Sequence, residues 1–315
     1  MLGDYSWLEV AGFFALVIVC LAVDLRAHRD DKPISTKNAA LWSVFWIALS
    51  VTFAGYVAFS HGFTDGALFI TAYLVEKSLS VDNLFVMMAI FSSFAVKDAY
   101  QHRVLYYGII GALVMRLLFI GLGTGLVMQF GKYALAVFAL FIIWSAWKMW
   151  QASKKPQEDI VDYSNHWAVR FTRRIFPVHH RLDGHSFFTK QNGVRMVTPL
   201  FLCLVCIEVA DIMFAVDSVP AVISVVGANM FLVYTSNVFA ILGLRSLYFL
   251  LAAGKRHLAH LEHAVIIVLL FIGVKMILDV IGIVHISPYI SLVVVLLLLA
   301  GGVAFSLIRP GKGEE

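Results

Sequence analysis

The stretch Thr71-Ala-Tyr-Leu-Val-Glu76-Lys77-Ser-Leu-Ser-Val-Asp82-Asn83-Leu-Phe-Val-Met-Met88 decides the fold. It sets two carboxylates and an ammonium group in the middle of an apolar run from about 66 to 94. A run of that length crosses a bilayer as a helix. Each charge inside lipid costs on the order of 3 kcal/mol on insertion scales, so a group of them requires partners, water or a bound ion.

A second stretch repeats the first. From Glu208 the chain reads Glu208-Val-Ala-Asp211-Ile-Met-Phe-Ala-Val-Asp217-Ser218-Val-Pro220-Ala, and the step from Asp211 to Asp217 equals that from Glu76 to Asp82. Both second aspartates follow a valine and precede a small polar residue, Asn83 or Ser218. Further on, Arg116 matches Arg245 and Lys148-Met149 matches Lys275-Met276. The pattern implies an internal duplication of three helices.

Composition sets the class. With 61% hydrophobic residues, 14% charged and a mean hydropathy of +0.86, the chain reads as a polytopic, all-α membrane protein. A soluble core is excluded. Cys20, Cys203 and Cys206 all lie in apolar segments, so no disulfide framework is expected. The net charge of +4 resides in loops and does not point to nucleic acid. Asp4 and Glu9 stand where a cleavable signal would be basic, so the first apolar segment reads as a retained helix.

Hydropathy predicts nine spans, at roughly 7–25, 37–60, 66–94, 101–129, 132–151, 197–226, 230–253, 261–283 and 287–308. Spans 1 to 5 occupy 1–151, a cytoplasmic loop 152–196, spans 6 to 9 occupy 197–308, and 309–315 is a cytoplasmic tail. With the N-terminus outside, the inner segments hold 18 Lys and Arg and the outer ones only Lys132; without the long loop's eight the ratio is still 10 to 1. This predicts an N-out, C-in orientation. Spans 3 to 5 (66–151) and 6 to 8 (197–283) then run in opposite senses, as an inverted repeat with its site near the midplane.

At 100° per residue, a six-residue step leaves the two acids of each pair about 120° apart on a straight helix. Pro220 cannot donate to the carbonyl of Val216, and Ser80, Asn83 and Ser218 offer competing local bonds. Kinked or partly unwound helices are therefore predicted at Asp82-Asn83 and at Asp217-Pro220, in spans 3 and 6. Carboxylates, an amide and main-chain oxygens make a hard donor set, suited to Mn²⁺, Ca²⁺ or Mg²⁺.

The runs Glu76 to Val86, Asp211 to Ala221, and Thr235-Ser-Asn237-Val-Phe-Ala-Ile-Leu-Gly-Leu-Arg245 resemble the TerC family of bacterial inner-membrane proteins, nearest its Alx-type branch. Asp24, the segment from Asp183 to Gly193, and Thr198-Pro199 also fit. The resemblance implies a LysE-like exporter of Mn²⁺ in the bacterial cytoplasmic membrane, associated with tellurite resistance. It implies metal-ligand roles for Glu76, Asp82, Asn83, Glu208, Asp211 and Asp217. Mn²⁺ is then cargo rather than cofactor, and no cofactor is expected.

Asp24, Lys77, Arg116, Arg245 and Ser218 are candidates for the ion pathway or for charge pairing. Lys275 and Asp279 are expected to form a local bridge. In the loop, Trp167, Phe171 and Ile175 with interleaved arginines predict an amphipathic helix on the inner leaflet. Phe187–Lys190 and Val194–Val197 predict a hairpin. No nucleophile triad or nucleotide loop is present, so the chain is not read as an enzyme. Beside Mn²⁺ export stand two alternatives: a Ca²⁺/H⁺ exchanger, and a non-transporting scaffold for stress-response partners. A homodimer is compatible with the sequence.

Overall fold

The computed structural model describes residues 5–27, 35–153, 163–179, 183–191, 193–227, 229–254 and 261–308. The tail 309–315 lies outside them. Among the described residues the elements run α1 (Trp7–Ala27), α2 (Thr36–His61), α3 (Phe63–Ser93), α4 (Asp98–Phe130), α5 (Lys132–Ser153), a 3₁₀ turn, α6 (Trp167–Ile175), β1 (Phe188–Gln191), β2 (Val194–Val197), α7 (Pro199–Val226), α8 (Met230–Ile241), α9 (Leu244–Gly254), α10 (Leu261–Ile281) and α11 (Pro288–Ile308). The fold is mostly helical.

Seven of these helices are long and apolar enough to cross a membrane: α1, α2, α4, α5, α7, α10 and α11. The α8–α9 pair, bent by 42° at its break, makes an eighth. Helix α3 has the length, at 31 residues, but every eighteen-residue window in it holds at least three of Asp65, Glu76, Lys77 and Asp82. Apolar side chains face outward along the bundle: Phe59 is 94% exposed, and Leu118, Leu122, Val137 and Leu297 are also exposed. So much outward apolar surface fits lipid and not water.

The centre is built from α3 and α7. Helix α3 packs on α2, α7, α8 and α11, and α7 packs on α3, α4 and α5. Helices α5 and α10 pack on each other. Thus α3 lies on α8 as α7 lies on α4. This is the exchange of partners that a two-fold relation between α3–α5 and α7–α10 would give.

The predicted unwinding in spans 3 and 6 does not occur. Helix α3 is continuous from Phe63 to Ser93, and α7 continues through Pro220. Of the hydroxyls expected to compete with the helix, Ser80 donates backward along it to Glu76 O (2.8 Å), as Ser78 does to Leu74 O (2.6 Å) and Ser224 to Pro220 O (2.5 Å), while Ser218 Oγ accepts from Arg116. In lipid a hydroxyl needs a partner, and the preceding turn supplies one without opening the ladder.

The break falls elsewhere, at Leu242-Gly243 between α8 and α9. Gly243 has φ +80°, and the position its Cβ would take lies 2.5 to 2.8 Å from atoms of Trp46. The carbonyls freed at the end of α8 are met by Lys77, whose Nζ donates to Ala240 O (3.1 Å) and Leu242 O (3.4 Å). The intramembrane ammonium therefore closes a broken span. Replacing Lys77 by Met should leave these acceptors unmatched and cost about 1–3 kcal/mol. A lowered midpoint of thermal unfolding in detergent would show it; an unchanged midpoint would remove the assigned role.

The expected Lys275–Asp279 bridge is also replaced. Lys275 Nζ donates to Ser291 Oγ of α11 at 2.6 Å, and Asp279 pairs with His285. A partner on a neighbouring helix is available to Lys275, so the i,i+4 geometry does not decide. In the loop, β1 pairs antiparallel with β2, Phe188 opposite Val197 and Gln191 opposite Val194. Helix α6 buries Ala168, Val169 and Thr172 and exposes Trp167, Phe171 and Ile175.

Candidate functional site

Four helices converge on one guanidinium. Arg116, on α4 and 4% exposed, donates through Nη1 to a Glu76 carboxylate oxygen, to Asn237 Oδ1 (2.8 Å) and to Ser218 Oγ (3.2 Å). Glu76 on α3 is fully buried, and its second oxygen, Oε2, has no partner among the described residues. Asp211 on α7 is 6% exposed and lies within Coulombic reach of both Arg116 and Glu76. Its Oδ2 is likewise buried without a partner among the described residues. Glu208 is one helical turn away on α7 and interacts electrostatically with Asp211.

Beside Asp211 is a small cavity of about 10 Å³, lined by Leu84, Met87, Gly108, Ala112, Asp211 and Arg245 among others. That is roughly the room for one water. Arg245 on α9 lines the same cavity, and its Nη2 donates to Asp24 O (2.5 Å) and pairs with Asp24 Oδ2 (2.9 Å) on α1. Asp24 is thus buried and paired. Gly111 makes room for Glu208, since a Cβ there would overlap the Glu208 carboxylate. Asn83 is buried at 4%.

Of the sequence-predicted ligands, the structure brings Glu76 and Asp211 near one another, with Glu208 next along α7. Asp82 and Asp217 lie within α3 and α7, but their side chains fall outside the described set. No group of three or more His, Cys, Asp or Glu poised around a common point is found among the described residues. Ser218 and Arg116 join the site directly, and Lys77 faces the broken span instead. Cys203 and Cys206 are buried, unbridged members of the apolar core.

Asn237 was not singled out as a site residue. Its signal was available: it is an amide in a fully buried apolar helix, eight residues before Arg245. The same offset from Arg116 falls on Gly108, which has no side chain and borders the cavity.

A bundle of membrane-spanning helices whose centre holds acids, a guanidinium and an amide defines the class: a polytopic membrane protein with a charged intramembrane site. The chain belongs to the integral membrane protein TerC family, matched over residues 61–313. It is 46% identical to the tellurium resistance protein TerC of Serratia marcescens over 96% of this chain and 94% of that one. It is 45% identical to the tellurium resistance protein TerC of Alcaligenes sp, over 97% and 95%. Identity to Alx of Escherichia coli (strain K12), a membrane-bound protein, is 38% over 90% and 89%. No solved structure matches the chain.

Proposed function

We propose that this protein exports Mn²⁺ from the cytoplasm by alternating access, at a carboxylate site between α3 and α7 in the bacterial inner membrane. The observation that carries the reading is the pair of buried carboxylate oxygens, Glu76 Oε2 and Asp211 Oδ2. They sit on adjacent central helices and are unpartnered among the described residues. An unmatched carboxylate in a low-dielectric core is costly, and a divalent cation would offset that cost at both oxygens.

The donor set is oxygen only, which suits Mn²⁺, Ca²⁺ and Mg²⁺ and disfavours copper. Exchange of packing partners between α3–α8 and α4–α7 supports the inverted repeat that alternating access would use. The relatives named for tellurium resistance agree with a role in metal stress. Asp82 and Asp217, each six residues on from Glu76 and Asp211, are proposed to complete the ligand set.

Replacing Asp82 or Asp217 by Ala should abolish Mn²⁺ extrusion from loaded cells while the protein still reaches the membrane. Normal extrusion by both variants would remove these residues from the site. Flux into inverted liposomes, comparing Mn²⁺, Ca²⁺ and Mg²⁺, separates export of Mn²⁺ from Ca²⁺/H⁺ exchange. A protein that moves none of them would favour the scaffold reading, in which Glu76–Arg116 and Asp24–Arg245 are structural ion pairs alone.

A further inference from the structure

We propose that α6, held beside the β1–β2 hairpin, is a docking surface for anionic phospholipid. Trp167, Phe171 and Ile175 enter the boundary between acyl chains and headgroups, and Arg170, Arg173 and Arg174 meet the headgroup phosphates. Helix α6 has three faces, where a simple amphipathic helix has two. Ala168, Val169 and Thr172 share one arc and are buried, Val169 in the same apolar cluster as Leu200 of α7. Arg170, Arg173 and Arg174 share a second arc and are exposed. Trp167, Phe171 and Ile175 fill the third, within about 80° at 100° per residue, and each is more than half exposed. One face holds the helix to the protein and two face outward.

The surface is fixed at the entry to a membrane-spanning helix. Phe176, the C-cap of α6, and Phe188 of β1 both pack on Phe201 in the first turn of α7, their ring centroids 6.3 and 5.1 Å from it. Backbone bonds tie the same parts together: His179 N donates to Val197 O (2.8 Å), Val197 N to Pro177 O (2.9 Å) and Thr198 N to Phe187 O (3.0 Å). Helix α7 is apolar enough to cross the membrane from Pro199 onward, so α6 and the hairpin are held at the level of the headgroups.

Charge selects the occupant. From Trp167 to Val197 the sequence carries six Lys and Arg against one acid, Asp183, and that acid lies in neither α6 nor the hairpin. A bilayer without net charge would cover the apolar arc but leave three neighbouring arginines without a matching charge. An anionic lipid covers the first with its chains and meets the second with its phosphate, which a guanidinium binds through two parallel N–H bonds. An indole at this depth keeps its ring in apolar surroundings and its N–H among the headgroups.

The test uses the full-length protein in phosphatidylcholine bilayers, with either brominated phosphatidylglycerol or brominated phosphatidylcholine added as a contact quencher. Trp167 is read as the difference in quenching between the parent and Trp167→Phe. Trp167 should be quenched, and phosphatidylglycerol should be preferred over phosphatidylcholine about fivefold or more. Changing Arg170, Arg173 and Arg174 together to Gln should bring the preference close to one, with the size-exclusion profile unchanged. Equal quenching by the two lipids in the parent, or a preference kept by the triple variant, would overturn the proposal. An unquenched Trp167 would also overturn it and would put a protein partner or a second copy of the chain on this face. If the triple variant does not fold, salt decides on the parent protein. At about 1 M the Debye length falls to about 3 Å; a preference lost there supports anionic docking, and one that persists overturns it.

Discussion

Asp211→Asn is expected to abolish Mn²⁺ export while leaving the protein as stable as the parent or more so, whereas Glu76→Gln abolishes export and lowers stability by about 3–5 kcal/mol. The two acids are proposed ligands of one ion, but their surroundings differ. Glu76 is the carboxylate that neutralises Arg116, a guanidinium 4% exposed and held by Ser218 and Asn237 besides. Without it a buried cation keeps two neutral acceptors and no directly bonded carboxylate, and breaking one side of a buried pair is costly.

Asp211 has the opposite standing. Its Oδ2 has no partner among the described residues, and Arg245 pairs with Asp24. Exchanging an unmatched carboxylate for an amide removes a desolvation cost. Export is read from Mn²⁺ retained by loaded cells, and stability from denaturant or thermal unfolding in detergent. Equal destabilisation by the two variants would contradict the assigned partners, and retained export in either would remove that residue from the site.

The spans were legible because the cost of burying polar groups in lipid is written in composition. Eight of the expected spans fall on α1, α2, α4, α5, α7, the bent α8–α9 pair, α10 and α11, and the charged helix α3 stood out because its charges have no place in lipid unless something holds them. What held them was not legible. Whether Arg116 meets Glu76 or Lys77 depends on the rotation of α4 about its axis, and side chains on several helices set that rotation together. Local rules were overruled in the same way. Pro220 removes one donor, yet 27 other residues of α7 keep their helical packing, so the helix continues through it.

The break that does occur had a small signal, Leu242-Gly243-Leu244, a glycine in the middle of an apolar span where no loop was expected. Pairing of Asp24 with Arg245 spans 221 residues of sequence. No spacing rule reaches that far. The six-residue steps single out Glu76 and Asp211, which lie near one another, but carry no sign that an arginine would bond one and that an oxygen of the other would have no partner among the described residues.

Gly243→Ala is expected to give little folded protein, with a loss of about 2–5 kcal/mol from two separate sources. The first is backbone conformation: φ is +80°, where an L side chain costs about 1–2 kcal/mol. The second is space. The alanine Cβ would lie 2.5 Å from Trp46 Cδ1, 2.6 Å from Cγ and 2.8 Å from Cβ, and Trp46 is 1% exposed and enclosed in the core of α2. Overpacking of that kind costs about 1–3 kcal/mol.

Moving α9 away from α2 to relieve the contact would pull Leu242 O from Lys77, so the strain passes to the capped break. Trp46→Ala added to Gly243→Ala should recover only part of the loss, because the Cβ contact at 2.8 Å and the positive φ both persist. Gly12→Ala and Gly55→Ala serve as controls. Both are helical with open space around the added methyl, so alanine there should be neutral or stabilising by up to about 1 kcal/mol. Yield of monodisperse protein and the unfolding midpoint report all four variants. If Gly243→Ala behaves like the controls, the 42° bend does not depend on that glycine, and the contact with Trp46 is not what fixes α9 against α2.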